Sequence, residues 1–398
     1  MFGASAVATH NLVGLRMANL YSQNIDCSVL VPVLDEESHI ADSIAAMREQ
    51  HFSGQLEFLL VDGGSTDGTR AIVERLARED PRIHLLENPR RTTPCGLNVA
   101  LAHARGRWVV RMDAHTRYPP DYIALGIQRL AQGDTRWVSG VTLATGSGRV
   151  SRAVALALRT PLGRGGSRKW AAEPGGSGAE HDLDSGVFGG VWERATLLEY
   201  GGWDEHWTRN QDSEMAGRFL ARGERLVCLA EMAAQYTARS SLGALWRQYL
   251  GYGEFREKTA VRHPHTMRRS HLLAPAVVMS GVAAVAAPRP VRRLARVGLA
   301  AYLAALGWAG ARAVPQAESK PDALLVPAVL ATMHVAHGTG ALRGMRRNGP
   351  PLAALARVLG LSRLAARIAP PPEAVFAPSL NGSLGRGAAP GRLASERE

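Results

Sequence analysis

Three short polar clusters follow apolar runs, and each carries residue types that do chemistry. In Val61-Asp62-Gly63-Gly64-Ser65-Thr66-Asp67-Gly68-Thr69, successive glycines let the backbone turn tightly and approach a ligand. Ser65, Thr66 and Thr69 can cap a following helix. A helix N-terminus favours anions, whereas an aspartate fixed there, such as Asp62, accepts hydrogen bonds from a base or ribose. The same composition also serves as a turn with no ligand. In Met112-Asp113-Ala114-His115-Thr116, a carboxylate and an imidazole two residues apart in extended chain point to one side. There they can share a divalent metal and neutralise a diphosphate; ordinary surface pairs have this spacing too. In Asn210-Gln211-Asp212-Ser213-Glu214 two acids open a helix, a position that the helix dipole favours for structural reasons alone. Farther on, Trp246 to Arg256 interleaves aromatics with arginine, a pattern common to nucleic-acid stripes, interfacial helices and enzyme sites. Neither G-x-G-x-x-G nor G-x-x-x-x-G-K-[ST] occurs, so dinucleotide and P-loop readings have no support.

Such clusters need elements to hold them. Apolar runs predict strands over Ser28 to Val33, Leu56 to Val61, Ile83 to Leu86 and Trp108 to Met112. Helical spacing predicts helices over Ser38 to Gln50, Thr69 to Arg78 and Cys95 to Ala104. This alternation implies a parallel sheet built from βαβ crossovers, with ligands beyond the carboxyl ends of its strands. Leu34 to Glu37, Asp62 to Thr69 and Asp113 to Thr116 all fall at such ends. From about Gly146 to Ala179 the pattern dissolves into glycine, serine and arginine. That stretch reads as a flexible surface loop, or as one that covers substrate on binding. Structure resumes with Gly186 to Trp192 and a helix from Asp212 to Arg222.

The 398 residues suit two to three units at roughly 150 residues each. Hydrophobic content of 46% against 21% charged excludes a wholly disordered or fibrous chain. A net charge of +12 suits nucleic acid, anionic lipid or a phosphate-bearing substrate. Cys27, Cys95 and Cys228 are too few and too scattered for a disulfide framework or a cysteine zinc cluster. The first residues lack the uninterrupted apolar run of a secretory signal. Beyond Arg262, the segments 272–287, 297–311 and 323–342 hold no charged side chain and are punctuated by arginine clusters. By the positive-inside rule they predict a membrane hairpin of spans 297–314 and 323–342, with 315–322 outside and the rest cytoplasmic. The short 272–287 segment then reads as re-entrant or interfacial. The expected organisation is an extension (1–25), a catalytic domain (26–262), membrane-associated helices (263–347) and a flexible tail (348–398).

The order of the motifs carries more than any one of them. Pro32-x-x-Asp35-Glu36, the Asp62 turn, Asn98-x-x-Leu101-x-x-Ala104-x-Gly106, Asp113-Ala-His115 and Gln211-Asp212 resemble a family 2 glycosyltransferase over about Cys27 to Arg256. Gln211 to Glu214, Gln248-Tyr-Leu-Gly-Tyr-Gly253 and the apolar C-terminus resemble its succinoglycan-biosynthesis glucosyltransferase branch. The resemblance implies an α/β GT-A fold, a mainly parallel sheet with flanking helices, followed by a membrane region. It also implies a nucleotide-diphosphate sugar donor, a divalent cation (Mg or Mn) and inversion. By position it assigns Pro32, Asp35, Glu36, Asp62, Gly63, Ser65 and Asp113 to the donor nucleotide. Asp113 and His115 fall to the metal, Asp212 to the catalytic base, and Glu214, Gln248 and Tyr252 to the donor-phosphate and acceptor region. The chain departs from the pattern at Asp35 (usually Asn), Gly63 (usually Asp) and Gln211 (usually Glu). Gly251-Tyr252 also replaces the Arg-Trp of processive synthases, so a single transfer per encounter is expected. The expected activity is transfer of one sugar to a lipid-linked or glycan acceptor in exopolysaccharide or cell-surface glycan synthesis. Its rivals are a polyprenyl-phosphate sugar synthase and a silent nucleotide-sugar or glycan-binding scaffold. The arginine clusters flank apolar runs and no nucleic-acid motif is present, which points to lipid and not nucleic acid.

Overall fold

The computed structural model describes residues 25–170 and 180–371. The expected extension up to residue 24, the end of the glycine-rich stretch (171–179) and the tail from 372 lie outside the described residues. The first four strands are β1 (Cys27–Val33), β2 (Leu56–Asp62), β3 (Ile83–Glu87) and β4 (Trp108–Arg111). They run parallel in the spatial order β3-β2-β1-β4. Helices α1 (Ile40–Arg48), α2 (Thr69–Glu79) and α3 (Thr93–His103) make the crossovers that the alternation predicts. β1 and β2 are buried almost throughout because helices cover both faces, which explains their continuous apolar runs. Ile40, Ile44 and Val73 pack on one face, and Leu97, Leu101, Trp192 and Trp203 on the other. Glu57, the acid near the start of β2, is buried but accepts from Ser28 Oγ (2.6 Å) and from Arg105.

The second half of the sheet is mixed. β5 (Thr116–Arg117), α4 (Tyr122–Leu130) and β6 (Trp137–Thr145) are followed by helices α5 (Arg149–Arg159) and α6 (Pro161–Arg164). Then come β7 (Glu180–Asp182), β8 (Gly190–Glu193), α7 (Arg194–Glu199), α8 (Gln211–Ala221) and β9 (Leu226–Thr237). The described sheet continues from β4 as β8-β6-β9-β5, with β7 beside β9 and β8 antiparallel to both β4 and β6. The expectation of a loop across 146–179 is corrected: 149–164 is helical. Val154, Leu158 and the alanines between them form a buried helical face, which the flanking glycines and serines obscure in the sequence.

The C-terminal helices are α9 (Leu242–Arg262), α10 (Leu273–Ala286), α11 (Arg289–Ala313) and α12 (Lys320–Asn348), then α13 (Leu352–Val358) and α14 (Ser362–Ile368). Three stretches, 269–286, 289–316 and 320–348, are long and apolar enough to cross a membrane. α12 nevertheless lies along the catalytic half. A Cβ on Gly253 of α9 would fall 2.0 Å from the His337 carbonyl oxygen, and one on Gly340 would fall 2.0 Å from that of Leu250. Only glycine permits backbones this close. The stretch 348–398, expected to be flexible throughout, begins with α13 and α14. Ala354 and Val358 are buried against Ala260 and Met267, contacts too short to register as periodicity.

The expected hairpin bears on contacts at both ends of α12. It would put a bilayer between residues 315–322 and the catalytic half. Asp322 is fully buried and takes Arg152 Nε of α5 at 2.7 Å, and Glu318 lies 3.5 Å from the same guanidinium. At the other end Arg347 pairs with Glu254 of α9. Both ends of α12 therefore touch the catalytic half, one at α5 and the other at α9. The apolar surface turned outward is on α10 and α11, where Val285 (78% exposed), Leu294 (74%), Val297 (67%) and Trp308 (57%) stand free. The native cysteines are all buried, so introduced ones report alone. Gln316→Cys and Arg75→Cys, the second on the catalytic half, are expected to react together or not at all with an impermeant maleimide on intact cells. Reaction at Gln316→Cys only would favour the hairpin.

Candidate active site

The carboxyl ends of β1, β2 and β4 and the start of α8 meet at a cleft with two lobes. The smaller, about 160 Å³, is lined by Pro32, Leu34, Glu36, Gly63, Asn88 and Arg91 among others. The larger, about 770 Å³, opens between α8, α9 and the helices α5, α10 and α12. Thr93, Arg111, Asp113, His115 and Gln211 line both.

The shared wall is organised by Arg111, whose side chain is only 4% exposed at the end of β4. Its Nε donates to Asp113 Oδ1 at 2.8 Å, its Nη2 to Asp113 Oδ2 at 3.2 Å, and its Nη1 to Asp212 Oδ1 at 2.6 Å. Burial opposes this charge, yet the two carboxylates hold the guanidinium above its ordinary pKa. Asp212 is pushed up, foremost by burial, while Arg111 works the other way. The Asp113 N–H donates to Tyr118 Oη at 2.8 Å, which fixes the turn after β4. Glu36 accepts from His115 Nδ1 at 2.7 Å, and this bond raises the imidazole pKa against the effect of burial. Asp212 sits in the first turn of α8, where the dipole favours an acid. Gly186 lets the chain before β8 pass it, since a Cβ there would lie 2.0 Å from the Asp212 carbonyl oxygen. On α9, Gln248 Nε2 donates to Tyr236 Oη (2.9 Å) and Tyr252 Oη (3.1 Å), one turn on.

Of the residues assigned by resemblance, Pro32, Glu36, Gly63, Asp113, His115, Asp212, Gln248 and Tyr252 line the cleft. Asp35, Asp62 and Ser65 instead clamp two loops together. Ser65 donates its N–H (3.1 Å) and Oγ–H (2.6 Å) to Asp62, and its Oγ accepts the Asp35 N–H. Asp35 Oδ1 accepts the Thr66 N–H at 2.7 Å, which holds Asp35 at φ 52°, a left-handed conformation. Glu214 is not brought to the cleft. Two residues along a helix is a turn of about 200°, so it faces away from Asp212. It is fully buried, accepting from Arg218 Nε at 3.1 Å and from His263 Nε2 at 3.2 Å.

Sequence reasoning missed Arg111, although an arginine inside the apolar run Trp108 to Met112 requires buried anions. It missed Lys169, one of only three lysines, because the segment read as loop. Arg256 was within a stretch singled out for its arginines but had no role.

Residues 28–177 match the model of glycosyl transferase family 2. The chain is 34% identical over 239 residues to the succinoglycan biosynthesis protein ExoA of Rhizobium meliloti, covering 59% of this chain and 70% of that one. It is 30% identical over 128 residues to the polyprenol monophosphomannose synthase of Mycolicibacterium smegmatis, covering 29% and 46%. The mannosyltransferase PcManGT of Pyrobaculum calidifontis, solved with GDP-Man and Mn2+, has the same fold. It superimposes with a TM-score of 0.51 at 22% identity over 84% of this chain and 94% of that one.

Glu214→Gln is expected to destabilise the chain by about 3–5 kcal/mol, since it leaves buried Arg218 without its counter-ion. Thermal melting checks this; an unchanged midpoint would deny the pair a structural role.

Proposed function

The chain belongs to glycosyl transferase family 2, close to the succinoglycan-biosynthesis branch, and on that premise we propose an inverting transfer of one sugar. The donor is a nucleotide-diphosphate sugar, and the acceptor is a lipid-linked saccharide of exopolysaccharide or cell-surface glycan synthesis. The observation that carries this reading is the buried Arg111 bridge, which joins Asp113 and Asp212 where the two lobes meet. The smaller lobe, among the ends of β1 and β2, suits the nucleotide; the larger suits the sugar and the acceptor.

In this reading Asp212 is the base. It takes the proton of the acceptor hydroxyl as that oxygen attacks the anomeric carbon from the face opposite the leaving diphosphate. Its raised pKa makes it a stronger base than an exposed aspartate. Arg111 orients it and keeps it ionised. Gln248 and Tyr252, tied to each other, line the larger lobe on the side of α9 and suit the donor phosphates. Asp35, Asp62 and Ser65 act by fixing the loop that borders the nucleotide.

Asp113 and His115 would hold a divalent cation, magnesium or manganese. They fit as a partial shell: both line the wall common to the two lobes, and Glu36 engages His115 Nδ1, leaving Nε2 as the ligand atom. Among the described residues no group of three or more His, Cys, Asp or Glu side chains could hold a metal ion, so diphosphate oxygens must complete the shell. When bound, such a cation offsets the charge growing on the departing diphosphate.

The exposed apolar faces of α10 and α11, with Arg289, Arg292, Arg293 and Arg296 at the start of α11, suit attachment to an anionic cytoplasmic membrane surface. The alternative, sugar transfer directly to a polyprenyl phosphate, is favoured by the likeness to the monophosphomannose synthase. Product analysis with a lipid phosphate and with a lipid-linked saccharide separates the two.

Asp212→Asn is expected to preserve donor affinity and to lower turnover by about 10²- to 10⁴-fold, read as nucleoside diphosphate release with acceptor-bearing membranes. Near-normal turnover would remove Asp212 from the role of base. The rate should fall as pH drops through the Asp212 pKa, because only the carboxylate accepts the proton. Arg111→Met withdraws the cation between two carboxylates, so this acid limb should move to higher pH. An unmoved limb would separate Arg111 from the base.

A further inference from the structure

The larger lobe holds positive charge that the donor side does not use. Lys169 Nζ donates to the Gly186 carbonyl oxygen at 3.4 Å and, among the described residues, has no carboxylate paired with it. Arg256 of α9 gives Nη2 to Ser213 Oγ at 3.3 Å, while its Nη1 is buried with no hydrogen-bond partner. Arg268 stands beside them, tied to Asp184 and to Ser185 Oγ. All three line the larger lobe, as Asp212 does, and none lines the smaller. Burial, then the charge of Arg256, brings the Lys169 ammonium down to about 8 against the attraction of Asp212. Burial likewise brings Arg256 down to about 10. Each cation thus stands where an anion would relieve it.

The wall above these cations is apolar. Leu158 of α5, Leu162 of α6, Leu273 of α10 and Met333 of α12 line it. Farther along α10, Met279, Val282 and Val285 are 60%, 64% and 78% exposed, on a side of the helix turned away from Leu273. Cations and apolar side chains lining one lobe match one chemistry: a phosphate ester on a long hydrocarbon chain. Free phosphate would have no use for the wall, and a neutral lipid none for the cations.

We propose that Lys169 and Arg256, with Arg268 beside them, bind the phosphate or diphosphate end of a lipid acceptor whose chain lies along Leu158, Leu273 and Met333. The proposal rests on the transfer reading above and names the group by which the acceptor is held. It also places the acceptor phosphate beside Asp212, on the larger-lobe side of the Arg111 bridge.

The test uses the full chain in phosphatidylcholine nanodiscs and radiolabelled farnesyl diphosphate, with farnesyl phosphate, farnesol and inorganic pyrophosphate as competitors. Farnesyl phosphate should compete well, and farnesol and pyrophosphate at least about tenfold less well. Lys169→Gln and Arg256→Gln should each weaken farnesyl diphosphate binding about tenfold, whereas Arg256→Lys, which keeps the charge, should retain most of it. UDP and GDP binding, measured on the same variants, should stay at the wild-type level and so report an intact fold. Pyrophosphate competing as well as farnesyl diphosphate would make the cluster a site for the donor's own phosphates and overturn the proposal. Farnesol competing equally, or unchanged affinity in both glutamine variants, would overturn it too. Lack of nucleoside diphosphate release from any donor would sink the transfer reading instead, while lipid-phosphate binding stood.

Discussion

A single buried guanidinium sets the terms for this fold. Arg111 ends β4, and its three donors meet Asp113 two residues on and Asp212 about a hundred residues later. Two carboxylates that share one buried guanidinium would repel without it. Arg111 offsets that repulsion and locks the loop after β4 to the start of α8. The cost of burying such a charge is recovered only when both partners are in place, since an unpaired buried ion costs several kcal/mol. The bridge therefore couples folding to the assembly of the site.

Behind it lies a second ionic layer with a different task. Arg218 donates to both Glu214 oxygens and to the Gly202 carbonyl, His263 adds to Glu214, and Arg262 reaches Asp204. These bonds fasten α8 to the loop before it and to the end of α9. Asn98 of α3 joins the same layer, donating to the Trp203 carbonyl oxygen at 2.8 Å and accepting the Trp203 N–H at 2.9 Å. Asp212 thus stands on a helix braced from below. Asp212 and Glu214, two residues apart, point in different directions, one into the cleft and one into the buried ionic layer.

That division explains what the sequence could disclose. The parallel half was legible because strand and helix periods alternate cleanly and their polar ends coincide with the ligand edge. Asp113, His115 and Asp212 were legible because position after a strand or at a helix start limits where a side chain can point. The reach of Asp35, Asp62 and Ser65 was not, because whether a turn binds a ligand or binds itself depends on contacts between two loops. Glu214 went astray for want of helical geometry. α5 was hidden between glycines, and the packing of α12 on α5 and α9 was hidden because composition cannot distinguish a helix buried in protein from one buried in lipid. The pairing of Asp322 with Arg152 is one that only tertiary contact reveals.

The two halves of the chain also meet a shared demand in opposite ways. The smaller lobe is built from loops at the edge of the sheet, where backbone groups and short side chains hold fixed positions. The larger lobe is built from helices α5, α9, α10 and α12, with glycines where α12 crosses α9 and α10. A helix wall offers a long apolar surface with cations at chosen depths, which a loop cannot. α12 meets α9 at Leu250, Gly253, Glu254 and Glu257, while Gln248, Tyr252 and Arg256 of the same helix line the larger lobe. Contact of α10 with lipid would act on a helix that also lines the larger lobe.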